Sequence, residues 1–186
     1  LVESARGDYC VFMGNDDLLC PGALSSIAAA VTRYPEIGVV LRSYAAFDDD
    51  PARIVQEFRY FDRELFFPPG ANSIGTVFRR SVVISGMVVH RAAAAAIATD
   101  RFDGILLSQL YLVARILVHH GCVYLPQILA LYRNGGIPDF GNADAERGKF
   151  MPREHTPESS LHFMRGMLDI ARYVEDTDGI RMYDRI

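Results

Sequence analysis

Short apolar runs closed by glycine, proline or aspartate alternate along the chain with stretches whose apolar positions recur every third or fourth residue, a pattern that predicts strands alternating with helices. Tyr9, Cys10, Val11, Phe12 and Met13 form the first run, bounded by Gly7-Asp8 and Gly14-Asn15, and predict a short buried strand. After it, Ile27, Ala28 and Val31 follow Ala23-Leu24 at helical spacing, with Pro21 in the first turn. Val39, Val40 and Leu41 predict a second strand that continues towards Tyr44 and Phe47 and ends at Asp48, Asp49, Asp50 and Pro51. Residues 54–61 alternate loosely and predict an edge strand, and the Phe-Phe-Pro-Pro-Gly stretch at 66–70 predicts a loop.

Residues 81–90 are strongly apolar and predict a strand interrupted by a close backbone approach at Ser85-Gly86. The alanine-rich residues 91–98 predict a helix. Leu106, Leu107, Leu110, Val113, Ala114 and Leu117 give the clearest amphipathic pattern, a helix over 106–120 stopped by Gly121. Residues 122–132 hold two apolar runs around Pro126, residues 134–157 turn polar and read as a loop or lid, and Leu161, Met164, Met167, Leu168 and Ala171 set a last helix over 160–174.

With 186 residues, half of them hydrophobic, the chain can bury one core, and no linker divides it. The expected division is 1–135 as the C-terminal part of a domain and 136–186 as a polar loop and C-terminal helical extension. A net charge of -4, with 19 basic and 23 acidic residues dispersed, leaves no electrostatic footprint for nucleic acid. Cys10, Cys20 and Cys122 have no C-x-x-C spacing and suit neither a disulfide framework nor a zinc ribbon, which points to a reducing cytoplasm. No apolar run reaches the roughly 18 residues a membrane span needs, and peripheral contact with the inner face of a membrane is left open. The chain opens at Leu1, close to its first strand, and reads as a fragment.

Asp16 and Asp17 carry the most chemistry. They leave the predicted first strand at its end, and ligands of open α/β sheets bind in the crevice beyond the strands' carboxyl ends. Mg²⁺ commonly takes one or two protein carboxylates and completes its shell with water and phosphate. The plainer alternative is a turn shaped by aspartates bonding to nearby N–H groups. That plainer reading is the one adopted for Asp48, Asp49 and Asp50, which lack the glycine spacing of a calcium loop. None of the five histidines stands at a metal-ligand spacing, and His119 and His120 read as partners of a helix dipole.

Gly7, Tyr9, Cys10, Gly14, Asn15, Asp16, Asp17, Pro21, Gly22, Ala23 and Leu24 together resemble the metal-site segment of family 2 glycosyltransferases, and more narrowly their abequosyltransferase-like members. The family's usual D-x-D has Gly14 at its first position here and Asp16 at its last. The resemblance covers most of the chain in pattern and is strongest over 5–24 and 84–133. It implies a GT-A-like α/β fold, a mixed sheet flanked by helices with its first strands missing. It implies transfer of a sugar from a nucleotide-sugar donor to a saccharide or lipid-linked acceptor in surface polysaccharide or O-antigen synthesis, with Mg²⁺ or Mn²⁺ as cofactor.

By the same likeness Asp16 is the metal ligand, while Asn15, Asp17, Ser85, Gly86, Met87, Gln109 and Arg133 serve donor or acceptor. Arg133 follows Tyr132 as in the family's closing Y-R pair and suits a diphosphate, which guanidinium binds bidentately. The family's E-D pair falls on Ser108-Gln109, and a carboxamide cannot act as a base, so Asp103 is the candidate proton acceptor. Two alternatives stand beside the transferase: a metal-dependent phosphohydrolase, although no H-x-D, D-x-H or nucleophile-elbow pattern is present, and a non-catalytic sugar-nucleotide-binding or interaction fragment.

Overall fold

A computed structural model describes residues 2–103, 105, 107–134 and 156–185. Most of the expected loop at 134–157, the 135/136 division and the first residue of the expected 106–120 helix lie outside the described residues. The chain is a mixed α/β protein. Its strands are β1 (Tyr9–Val11), β2 (Leu18–Leu19), β3 (Ile37–Phe47), β4 (Ile54–Phe58), β5 (Leu65–Phe67), β6 (Val88–His90) and β7 (Gly121–Arg133). Its helices are α1 (Ala23–Arg33), α2 (Ala71–Val77), α3 (Arg91–Ala96), α4 (Gln109–His119) and α5 (Pro157–Asp178).

The main path of the sheet runs β1-β6-β3-β7-β2, with β4 added beside β3 and β5 beside β7. β3 and β7 pair in parallel, and the other pairs are antiparallel. β3 is buried at every one of its 11 positions, because it is paired on both edges and covered on both faces. Its side chains alternate between two cores. Val39 and Leu41 pack with α2, α4 and α5, and Val40 packs with Ile27 and Ala30 of α1 on the opposite face.

β1 is only half-buried, against the expectation of a buried strand, because it is the last strand of the sheet's path and pairs with β6 alone among the described residues. Its edge position leaves one side without a ladder. The strand expected over 81–90 shrinks to β6, since a 3-10 turn at Phe78–Arg80 and a left-handed Gly86, φ 80°, occupy the approach to it. β5 forms within the stretch expected as loop. The two apolar runs around Pro126 are one strand, whose register jumps from Leu125 to Ile128 opposite Arg42 and Ser43. The proline therefore sits at a bulge, where its missing N–H breaks no ladder bond.

Pro21 precedes α1 rather than opening it, and Gly22, φ 79°, is the N-cap. Ala23, Ile27 and Ala30 form the buried stripe of α1. α4 is buried more broadly than one stripe, through Leu110, Val113, Ala114, Ile116 and Leu117, because it lies on β3 between α2 and α5. α5 extends beyond the expected 160–174 and adds Ile170, Ala171 and Val174 to the same core. No helix among the described residues is long and apolar enough to cross a membrane.

Candidate functional site

β1 and β3 both run antiparallel to β6, and β3 runs parallel to β7, so the carboxyl ends of β1, β3 and β7 point the same way. The loop 12–17, Asp48 and Arg133 follow from those ends. Phe12 keeps the loop against the turn before β6, donating to the Met87 carbonyl at 2.8 Å while its own carbonyl accepts from Gly86 at 2.8 Å. Gly14 N–H then donates to Ser85 Oγ at 2.7 Å, and the Ser85 hydroxyl donates to Asp17 Oδ2. Asp17 Oδ1 accepts the Arg133 backbone N–H at 2.8 Å. Three segments far apart in sequence are thereby tied through one carboxylate.

The neighbours Asp16 and Asp17 differ sharply in this arrangement. Asp17 is half-buried with both oxygens engaged, whereas Asp16 and Asn15 are exposed in a turn. Asp16 has no hydrogen bond or ion pair among the described residues. Each Asp17 oxygen still has a lone pair to offer. A Cβ on Gly14 would stand 2.7 Å from Asp17 Oδ2 and 3.2 Å from Ser85 Oγ, so this position accommodates no side chain without moving Asp17.

Beneath this lies a residue the sequence reading passed over. Arg42, in the middle of β3, is 0% exposed. Its Nε donates to the Ser85 carbonyl at 2.7 Å, and its Nη2 donates to the same carbonyl and to that of Val83 at 3.0 Å. The guanidinium lies 5.1 Å from the Tyr44 ring centre, and Nη1 is buried without a hydrogen-bond partner. Burial pushes the Arg42 pKa down to about 10, against the opposing influence of Tyr60, Tyr44 and Asp17, so it is charged at neutral pH. The signal available in the sequence was a lone charge inside an apolar run, which only a partnered group can tolerate when buried.

The remaining candidates are distributed as follows. Met87 is 0% exposed in the core, so its side chain packs and its backbone serves Phe12. The Arg133 guanidinium lies 4.8 Å from the Phe47 ring centre and donates to the Asp48 carbonyl at 3.2 Å. Gln109 is buried and donates through Nε2 to the Val82 carbonyl at 2.8 Å. Asp103 is exposed, and it lines with Gln109, Ser108 and Phe12 a cleft of about 670 Å³. The 48–50 stretch is a turn, with Asp50 accepting the Ala52 N–H at 2.9 Å. His90, distant in sequence, meets the neighbours His119 and His120 around a cavity of about 440 Å³ that also touches Gly121 at the start of β7.

Among the described residues no group of three or more His, Cys, Asp or Glu side chains is arranged to hold a metal ion. Two neighbouring carboxylates are a donor set that Mg²⁺ can take only when water and a ligand's phosphate complete its shell. No protein-family model matches the chain, and no curated protein matches it.

Proposed function

We propose that the chain acts in glycosyl transfer with a nucleotide-sugar donor, Mg²⁺ or Mn²⁺, and a saccharide or lipid-linked saccharide acceptor. The observation that carries this reading is the fixed Asp17 carboxylate at the carboxyl end of the sheet, joined to Ser85 and to the end of β7. Ligating carboxylates are themselves held by hydrogen bonds, and this property gives Asp17 the orienting role and leaves exposed Asp16 as its companion. When bound there, the cation supplies charge neutralisation for a departing nucleoside diphosphate.

The chain's own groups supply the rest. Asp17 presents its oxygens from a fixed position. Asp103, on the cleft shared with Gln109, takes the proton of the acceptor hydroxyl, while the Gln109 amide, anchored on Val82, braces the wall of that cleft. Asp103→Asn is expected to lower turnover by roughly 10²-fold or more without weakening donor nucleotide, measured as nucleoside diphosphate release from a panel of nucleotide-sugars with saccharide acceptors. Undiminished turnover in Asp103→Asn would remove it from the mechanism. Because Gln109 is an amide at the expected base position, the non-catalytic sugar-nucleotide-binding reading is the second one. It requires nucleotide binding with no release of nucleoside diphosphate from any donor.

A further inference from the structure

We propose that Arg42 is the positioning residue of this site: its buried guanidinium fixes the Ser85 peptide, so that the Ser85 hydroxyl holds the Asp17 carboxylate in a single orientation for a cation. The proposal rests on the cation reading above, and it concerns a residue distant from the Asp16-Asp17 turn in sequence.

A charge with no exposed surface is costly unless it is well bonded, and an apolar side chain of similar volume often serves stability as well or better. β3 is otherwise apolar or small-polar and aromatic along its length, so the element itself does not call for a cation at this position. What the guanidinium does contribute is directional. Its planar fork places Nε and Nη2 on one carbonyl, Ser85, and extends Nη2 to Val83. Those carbonyls belong to the 81–87 approach to β6, a segment outside the sheet ladders, whose peptides need partners elsewhere.

The turn rests directly on the guanidinium. A Cβ on Gly86 would stand 3.1 Å from Arg42 Nε and 2.9 Å from the Ala130 Cβ, so the glycine permits the approach and the arginine fixes it. From there the chain of bonds runs outward, from Arg42 to the Ser85 carbonyl, and from the Ser85 hydroxyl to Asp17 and Gly14. Arg42 acts on Asp17 without neutralising it. The ion pairs among the described residues are Arg33–Glu64, Arg59–Glu57 and Arg115–Asp178, so the Asp17 oxygens stay available.

The test combines amide hydrogen exchange with Mn²⁺ titration of the protein, using Arg42→Met, Arg42→Lys, Ser85→Ala and the Arg42→Met/Ser85→Ala double variant. Arg42→Met is expected to speed exchange at Gly14 and Arg133 about tenfold or more, to leave Val40 and Leu117 unchanged, and to weaken Mn²⁺ by about tenfold or more. Arg42→Lys, which keeps the charge and loses the fork, recovers only part of both. Ser85→Ala weakens Mn²⁺ to a similar degree with the guanidinium in place, and the double variant is no weaker than the single ones, because both substitutions break one chain of contacts. Unchanged exchange at Gly14 and Arg133 in Arg42→Met overturns the proposal, as does exchange that rises equally at Val40 and Leu117, the mark of a merely structural role. If Arg42→Met does not fold, Arg42→Lys and Ser85→Ala are judged by the same criteria. Mn²⁺ affinity that is the same in the unmodified protein and Asp17→Asn overturns the cation reading instead, and the exchange rates still decide whether Arg42 positions Asp17.

Discussion

Gly14 is the residue at which this chain departs from the D-x-D pattern it resembles, and its surroundings supply a physical reason. The space a side chain would fill is taken by Asp17 Oδ2 and Ser85 Oγ. Gly14→Asp, which writes the full pattern into the sequence, is therefore expected to weaken Mn²⁺ binding by about tenfold or more instead of strengthening it, read by Mn²⁺ titration. Stronger binding would show that the glycine is a loss and not an accommodation. Asp16, Asp17 and Gly14 stand out in the sequence as adjacent carboxylates and a glycine at the end of a predicted strand, and Ser85 is singled out only by the family resemblance. Arg42 does not stand out, since a single basic residue within Val39–Phe47 reads as part of a strand until its burial is known. Cys122 offers a separate residue-scale check. Burial pushes its thiol from the ordinary 9.0 up to about 12, so the folded chain holds a proton that the unfolded chain releases across that range. Its contribution to stability is complete below about pH 9 and is lost as pH rises towards about 12. The melting temperature is expected to fall more steeply between pH 8 and 10.5 in the parent than in Cys122→Ala, and equal slopes would contradict this assignment.

At the level of elements, apolar runs located the central strands and α4 well, because burial on both faces or on one broad face leaves a dense pattern. Boundaries were lost where backbone partners outweigh pattern. β5 forms beside Pro68-Pro69-Gly70 because Leu65, Phe66 and Phe67 pair with Tyr124, Val123 and Cys122. The 81–87 stretch, apolar enough for a strand, instead follows Gly86 into a left-handed turn and gives its carbonyls to Arg42. Gly38 records another tertiary demand that the sequence concealed. A Cβ there would come within 2.2 Å of Ile116 Cγ2 and 2.6 Å of His120 Cβ, so α4 approaches β3 at a distance only glycine allows. Gly38→Ala is expected to destabilise the fold by about 1–3 kcal/mol in chemical denaturation, through overpacking of α4 against the sheet. An unchanged denaturation midpoint would mean that the helix shifts freely.

For the whole molecule, the topology explains why residues from three sections of the chain form one site. Parallel pairing of β3 with β7, and β6 inserted antiparallel between β1 and β3, aligns the carboxyl ends from which the 12–17 loop, Asp48 and Arg133 emerge. The cleft that contains Asp103 and Gln109 shares Phe12 with this loop, which gives the proposed acceptor side a structural connection to the proposed cation side. The central claim is that these ends hold a cation together with a nucleoside diphosphate. Its most direct measurement is calorimetric titration of the protein with UDP, GDP, CDP and dTDP, each with Mn²⁺ and with chelator, beside Asp17→Asn and Asp16→Asn. At least one nucleotide should bind only when Mn²⁺ is present, with affinity reduced at least about tenfold in Asp17→Asn and less in Asp16→Asn. Nucleotide binding that is equally strong with chelator and in Asp17→Asn would contradict the account.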